Sequence, residues 1–336
     1  MSRKTAQLFD LMFKYLLSEA SSSAVVAFIN GLFEKDYPLN SRVAILPNES
    51  VSEKEDKLEK ITSDIQLTIN EDAYLIEVQI KDDFEIALRV FQYAFARAEK
   101  NKQISKGGSV IKLKFPEPKI IYFENTEKTP DEVVLDLEFS DGACHKYKVK
   151  TFKILEHSLF DLEQKNMEIL LPFYLLKFRK SLRNAKTDSV RKQEIAKEMN
   201  KFIEEIEVIL DKGKQKGILD IRDILNIFEE LERMHEELYG NHKEFMEVKM
   251  TLEQKVKPRL YNEAMSKGIS QGMSQGISQG ISQGISQGIS QGISQGISQG
   301  MSQGIKNRDS EILNLIRSGY GIKDLEKFLE NPQSAK

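Results

Sequence analysis

Residues 63–81, SDIQLTINEDAYLIEVQIK, constrain the fold more than any other stretch of the chain. Apolar and polar residues alternate on both sides of the turn sequence NED, which predicts an antiparallel hairpin. Because side chains alternate along a strand, three apolar residues of the return strand share one face: Ile76, Val78 and Ile80. Three polar residues share the other face: Glu77, Gln79 and Lys81. This polar face is either a solvated surface or part of an active site.

The segments around the hairpin predict a mixed α/β domain. Apolar residues at helical spacing predict helices within residues 5–33 and within residues 82–100. A charged stretch at residues 46–60 predicts a loop or an irregular edge. Alternating segments predict three further strands, within residues 109–115, 119–125 and 143–155. This order predicts an α/β unit over residues 1–165, which is close to the usual domain size.

Three segments of different character follow this unit. Residues 166–265 carry amphipathic patterns with dense opposite charges, which predicts a charged helical region built as a small bundle. Residues 266–305 contain nine tandem copies of Gly-(Ile/Met)-Ser-Gln, and we expect a spacer that tolerates changes of length. Residues 306–336 predict a tail of two short helices, with a break at the glycine-containing residues 318–321.

The repeat tract has two conformational interpretations. In a helix, four residues turn through about 400°, so the isoleucine stripe drifts by about 40° per copy and forms no fixed seam. Glycine at every fourth position also costs about 1 kcal/mol relative to alanine. In a strand, Ile and Gln share one face while Gly and Ser share the other. We expect a long helix, with a flexible or β-like linker as the alternative.

Composition and the absence of certain motifs exclude several classes of function. The net charge of −3 is not the basic footprint of a general DNA-coating protein, although a local basic patch is compatible with it. The single cysteine, Cys144, excludes a disulfide framework and favours a cytoplasmic location. No apolar run reaches the length of a membrane span, so no membrane partner is expected. Glycine-rich phosphate-binding motifs are absent, so no nucleotide cofactor is expected.

Two carboxylates of the predicted hairpin can share a cation if the register brings them to one face. Asp64 stands near the start of the first strand, and Glu77 stands in the return strand near the same end of the pair. Neighbouring carboxylates repel each other unless a cation lies between them. Mg²⁺ suits such oxygen ligands. A metal held there can deprotonate a water and offset charge on a phosphodiester, which is the chemistry of a nuclease.

This spacing resembles the PD-(D/E)xK nuclease superfamily, whose core hairpin carries an acid, then an acid and a lysine two residues apart. Here Asp64 is followed by Glu77-Val78-Gln79, so glutamine stands in place of the lysine. The glutamine form resembles the Rpn-type recombination-promoting nucleases, also described as PD-(D/E)xK family transposases. The segments FDLMFKYLL, LRVFQYAFARA and LPFYLLKFRK resemble helices before and after the core of that family. The resemblance covers most of residues 5–180.

The resemblance implies a restriction-endonuclease-like core and an Mg²⁺-dependent DNA endonuclease that promotes recombination or transposition. Asp64 and Glu77 would ligate Mg²⁺, and Gln79 would orient water or phosphate in place of the lysine. A neutral amide supplies no positive charge. The positive charge of the family's lysine would therefore come from other residues or be absent from the site. Five residues are candidates for phosphate contacts or for support of the site: Asp10, Lys14, Lys81, Arg89 and Tyr93.

Ordinary structural roles compete with these assignments. Asp10 and Lys14 are i,i+4 partners that can bridge each other, and Arg89 can pair with Glu85 in the same way. Tyr93 can be plain packing. The alternative function is a catalytically weak or inactive nuclease fold that binds DNA or protein and associates with itself through its helical and repeat segments. We expect a homo-oligomer and a DNA partner.

Overall fold

A computed structural model describes residues 3–46, 49–54, 57–62, 65–80, 83, 85–106, 108–185, 188–252, 257–319 and 321. Two of the predicted site residues, Asp64 and Lys81, lie outside these described residues. The chain divides into two compact units, Met1–Ala264 and Met265–Lys336, and each is described by itself.

A six-stranded mixed sheet is the centre of the first unit. The strands of the described chain are β1 Val43–Leu46, β2 Glu49–Lys54, β3 Lys57–Thr62, β4 Ile65–Ile69, β5 Asp72–Gln79, β6 Gln103–Ile104, β7 Ile111–Lys112, β8 Glu117–Tyr122, β9 Glu132–Glu138 and β10 Cys144–Lys153. The large sheet has the order β1-β4-β5-β8-β10-β9. Its inner strands β5, β8 and β10 are mutually parallel, whereas β1, β4 and β9 pair antiparallel. The predicted α/β class with a mixed sheet is therefore confirmed.

Most of the remaining described chain is helical. Their bounds are α1 Arg3–Glu19, α2 Ser22–Phe33, α3 Ile86–Lys100, α4 Leu159–Gln164, α5 Leu176–Asn184, α6 Ser189–Gln215, α7 Ile221–Tyr239, α8 Met246–Met250 and α9 Lys257–Arg317. A 3₁₀ segment, Glu168–Leu175, joins α4 to α5. In the part of the chain that the structure describes, no helix combines the length and the apolarity that crossing a membrane requires.

The predicted hairpin is confirmed as β4 and β5. Their antiparallel register runs from Ile65 opposite Ile76 to Ile69 opposite Asp72. The turn between the strands places Asn70 at a φ of 54°, in the left-handed region. Asparagine tolerates this region better than most residues, so the turn sequence and the alternating strands specify the same hairpin.

Three expectations about the strands were wrong. Residues 46–60 were expected to be a loop or an irregular edge, but β2 and β3 pair with each other as a separate antiparallel ribbon. The sheet also contains β1 and β9, which were not predicted. Both are edge strands, and β9 alternates between half-buried and exposed side chains, so a weak apolar pattern is enough to hold it. Within residues 109–115 only the two residues of β7 are a strand.

One hydrophobic core crosses the position at which the first domain boundary was predicted, between residues 165 and 166. Phe13 of α1 packs against Phe28, Phe123 and Phe173, with ring centroids 6.1, 5.8 and 6.0 Å apart. Phe123 follows β8, and Phe173 lies in the 3₁₀ segment. Helices α5 to α8 therefore bury their apolar faces in the same core as the sheet layer.

The repeat tract lies within α9, which runs without interruption from Lys257 to Arg317, as the helical interpretation expects. The first of the two predicted tail helices is not a separate helix. The residues after the last repeat continue α9 as far as Arg317. Gly319, at a φ of 86°, follows the end of the helix, as the glycine pattern predicted. The second predicted tail helix lies outside the described residues.

Gly31 of α2 is a position of close approach between the helix and the chain after α4. A Cβ at Gly31 would collide with the carbonyl oxygen of Lys165 and lie 2.8 Å from Met167 Cγ. We expect Gly31→Ala to lower the free energy of unfolding by about 1–3 kcal/mol in urea denaturation, as other overpacked sites do. Gly292→Ala is the matched control, since nothing lies within 4 Å of a Cβ in that helical position. Equal stability of the two variants would contradict the predicted contact.

Glu168 is a buried carboxyl group whose titration weakens the fold. Its side chain is 2% exposed, and neither carboxylate oxygen has a hydrogen-bond partner among the described residues. Burial, as the largest cause, raises the pKa of Glu168 from 4.5 to about 7. The folded state therefore favours the protonated form, and the stability that this form contributes is lost as the pH rises through about 7.

Glu168→Gln removes this ionisation. We compare the free energy of unfolding of the variant with that of the wild type. We expect this difference to shift in favour of the variant by roughly 3 kcal/mol between about pH 4 and about pH 8.5. Urea denaturation at both pH values measures this change, with the exposed Glu204→Gln as the control. A stability difference that stays constant with pH would show that folding does not change the pKa of Glu168.

Candidate active site

Strand β5 is covered on both faces. Tyr74, Ile76 and Val78 point into the main core. On the opposite face, Leu75 belongs to a second apolar cluster with residues of α3, including Val90. The alternation of the strand puts Glu77 and Gln79 on this α3 face. Of the predicted polar face, Glu77 is therefore covered and Gln79 is half-buried, whereas Lys81 lies outside the described residues.

Glu77 is a buried carboxylate paired with a guanidinium. Glu77 is 4% exposed, and it lies beside the buried Ile120 of β8 in the sheet register. Arg89 Nη2, on the first turn of α3, is 3.6 Å from Glu77 Oε1. Acidic residues are almost never fully buried unless they are paired, and taking a charge out of water costs several kcal/mol without a partner. Arg89 supplies that partner.

Asp83 fixes Arg89 from the other side. Its carboxylate forms an ion pair with Arg89 Nη1, and it also accepts the backbone N–H of Glu85 at 2.9 Å, where α3 begins. Burial on its own lowers the pKa of Arg89, but the carboxylates of Glu77 and Asp83 outweigh burial and raise it. Arg89 thus bridges β5 and the entry to α3, instead of forming the alternative helical pair with Glu85. Asp83 was not predicted as a site residue.

Gln79 ends β5 at the edge where the parallel strands finish. Its carbonyl oxygen accepts the backbone N–H of Phe123, which follows β8, at 2.8 Å. The next residue, Glu124, accepts hydrogen bonds from Arg179 Nη1 of α5 at 2.7 Å on both carboxylate oxygens. The carboxyl ends of parallel strands are the usual place for ligands in open α/β sheets. Sequence reasoning missed the Glu124–Arg179 pair, although Arg179 lies in the recognised segment LPFYLLKFRK.

Helix α1 reaches the same edge of the sheet. Phe13 packs edge-on against Phe123, which is hydrogen-bonded to the end of β5. Next to Phe13 in sequence, Lys14 Nζ donates to Asp10 Oδ2 at 2.7 Å, so the ordinary i,i+4 bridge is present. The other carboxylate oxygen of Asp10, Oδ1, is buried and has no hydrogen-bond partner among the described residues.

The remaining predicted residues are placed as follows. Tyr93, one turn after Arg89, is partly buried and packs against the apolar cluster under α3. Asp64 and Lys81 lie outside the described residues, so their assignments stay predictions. In the sequence, Asp64 immediately precedes Ile65, the residue opposite Ile76, and Glu77 immediately follows Ile76.

The donor chemistry of this edge fits Mg²⁺. Glu77 offers a carboxylate, Gln79 offers an amide oxygen, and Asp10 has a buried oxygen that lacks a hydrogen-bond partner among the described residues. Such hard oxygen donors are the ligands that Mg²⁺ prefers. Over the described ranges, which leave out Asp64, no group of three or more His, Cys, Asp or Glu side chains is arranged to hold a metal ion.

Protein-family models, curated proteins and solved structures contain no match to this chain. The function is therefore inferred from the chemistry of the site and from the motif in the hairpin.

A double-mutant cycle tests whether the pair of Glu77 and Arg89 is energetically coupled. We expect Glu77→Gln and Arg89→Met to show a coupling free energy of about 1–3 kcal/mol in urea denaturation, as buried contacting pairs do. The matched control is the cycle of Glu194→Gln and Arg191→Met, an exposed helical i,i+3 pair that should couple by about 0.5 kcal/mol or less. Equal coupling in the two cycles would contradict a special role for the buried pair.

Proposed function

We propose that this chain is a metal-dependent DNA endonuclease with a restriction-endonuclease-like core, which hydrolyses phosphodiester bonds and thereby promotes recombination or transposition. The observation that carries the proposal is the buried Glu77, held by Arg89 near the carboxyl end of a strand with a parallel neighbour. A fold that only needed stability would gain little from a buried charge, because a well-packed apolar pair is often equally stable.

Under this proposal, Asp64 and Glu77 hold Mg²⁺, and the position of Asp64 directly before β4 supports the assignment. When bound, the metal supplies a polarised water and offsets charge on the phosphate. Glu77 lies beside the guanidinium of Arg89, and a positive neighbour favours the charged form of a carboxyl group, which is the form that ligates a metal.

The surrounding residues supply the functions of the missing lysine. Gln79 uses its amide to orient water or a phosphate oxygen, since it carries both a donor and an acceptor. Arg89 has five N–H donors in a fixed plane, so it can direct further donors to a phosphate while it holds Glu77 and Asp83. Lys14 and Lys81 are the further cationic candidates. Asp10 and Tyr93 keep supporting roles, and DNA and a second copy of the chain are the proposed partners.

The second candidate function is a nuclease fold that binds DNA or protein without efficient catalysis and associates through its helical and repeat segments. Two observations favour it. The charge of Arg89 is already shared by two carboxylates, Glu77 and Asp83. Gln79 adds no positive charge. In this case the buried ion pair orders α3 over the sheet and has no role in chemistry.

Nicking of supercoiled plasmid by the full-length protein separates these functions. With Mg²⁺, we expect Asp64→Asn and Glu77→Gln each to lower the nicking rate by at least about 100-fold, more than the 10- to 100-fold effect of outer-shell residues. Each variant keeps nearly the shape of the original side chain and loses the negative charge that binds the metal. Glu71→Gln, in the exposed turn of the same hairpin, is the control and should cut as the wild type does.

The folding of every variant is checked by circular dichroism and by its unfolding transition. Full activity of either folded site variant would refute the assigned metal site. A folded wild type that binds duplex DNA but does not cut it, with or without Mg²⁺, would favour the second candidate.

A further inference from the structure

A basic ribbon follows α3 on the side of the sheet that carries Glu77. Residues 100–116 contain no acidic residue and five lysines: Lys100, Lys102, Lys106, Lys112 and Lys114. In a chain with a net charge of −3, this is a strong local departure from the overall balance. The strands of the ribbon are β6 and β7, which pair only with each other.

The ribbon is a defined hairpin with an apolar, exposed surface. Gln103 lies opposite Lys112, and Ile104 lies opposite Ile111. The Ser105 N–H donates to the carbonyl oxygen of Val110 at 2.9 Å, which closes the loop. Three apolar side chains of the ribbon stand in solvent, with exposed fractions of 59%, 59% and 58%: Ile104, Val110 and Ile111. Exposed apolar residues between lysines are typical of a binding surface.

Aromatic packing holds the base of the ribbon against α3. Phe115 stacks on Phe91 of α3 with ring centroids 5.8 Å apart and lies 6.3 Å from the ring of Tyr147 on β10. Lys114 Nζ is 3.6 Å from Asp72 Oδ1, at the start of β5. The ribbon is therefore fixed at its base to the same helix and strand that carry Arg89 and Glu77.

The outer lysines keep their charge available for a partner. Lys102, Lys106 and Lys112 are exposed, and none of them forms an ion pair with an acidic residue of the described chain. Lys114, by contrast, is tied to the base of the ribbon.

The size and charge of the ribbon fit a DNA groove. A two-stranded ribbon matches the width of the major groove, which is about 12 Å, and lysines at its rim can reach the backbone phosphates on either side.

We propose that the β6–β7 ribbon binds the DNA duplex, with its lysines on backbone phosphates and its exposed isoleucines in the groove. This inference rests on the proposed function for the identity of the substrate. The ribbon contributes affinity and position, and Glu77 contributes chemistry.

Binding of a fluorescein-labelled duplex of about 30 base pairs, measured by anisotropy in EDTA over a salt series, tests the ribbon without cleavage. We expect the triple variant Lys102→Ala/Lys106→Ala/Lys112→Ala to bind at least tenfold more weakly than the wild type in 0.1 M salt. The slope of log K against log salt should fall by about 2.7, since each phosphate contact contributes about 0.9. The control triple variant, Lys180→Ala/Lys197→Ala/Lys201→Ala, removes three exposed lysines of the helical region and should change affinity by less than twofold.

A second variant separates groove contacts from charge. Ile104→Ser/Ile111→Ser should weaken duplex binding but leave the salt slope unchanged, because these side chains contact no phosphate. Since both isoleucines are exposed, this variant should keep the stability of the wild type.

Three results of the DNA assay would overturn the inference: no duplex binding by the wild type, unchanged binding by the ribbon lysine variant, or an equal loss of affinity in the lysine control. A fourth would be binding to phosphatidylserine vesicles that depends on the ribbon lysines when binding to DNA does not. Plasmid nicking with Mg²⁺ is measured in parallel. Duplex binding that depends on the ribbon, in a wild type that does not cut, would uphold the ribbon and refute the nuclease. Cutting that survives with unchanged DNA affinity in the ribbon variant would refute the ribbon and uphold the nuclease.

Discussion

The burial of β5 on both faces is the constraint on which the rest of the first unit depends. With β4 on one side, β8 on the other, the main core below and α3 above, every side chain in the middle of this strand leaves water. Glu77 is the charged residue among them, and its desolvation has to be balanced by a cation. Arg89 provides the cation, and Asp83 fixes Arg89 at the start of α3. The position of α3 over the sheet is therefore linked to one ion-pair network.

The local parts of this arrangement could be predicted from the sequence, and the parts made by tertiary contact could not. The hairpin of β4 and β5 follows from alternation and a turn sequence, both of which act over a few residues. The edge strands β1 and β9 carry weaker apolar patterns, and their places depend on the neighbours that they pair with. The amphipathic helices after residue 166 predicted a separate bundle, because a pattern reveals that a face is apolar but not which surface covers it.

The candidate site divides in the same way. Glu77 was singled out by its place in the hairpin and Arg89 by the resemblance of its helix, and the two side chains meet in the structure. Asp83 precedes α3 and was not singled out, although an acidic residue before a helix is a recognisable capping signal. Glu124 and Arg179 are 55 positions apart, and only the fold brings them to the edge where β5 and β8 end. No periodicity within either segment could have joined them.

The main feature of the repeat tract in α9 is that its four-residue copies are nearly identical. One copy of the repeat adds about 6 Å to α9 and turns its far end by about 40°. Because the copies are nearly identical, the same side chains appear in every direction once the stripe has wound around the helix, which takes about nine copies. Such a helix has no single apolar face whose loss would expose a core, so its length can change by whole copies without a packing penalty. That property fits a spacer.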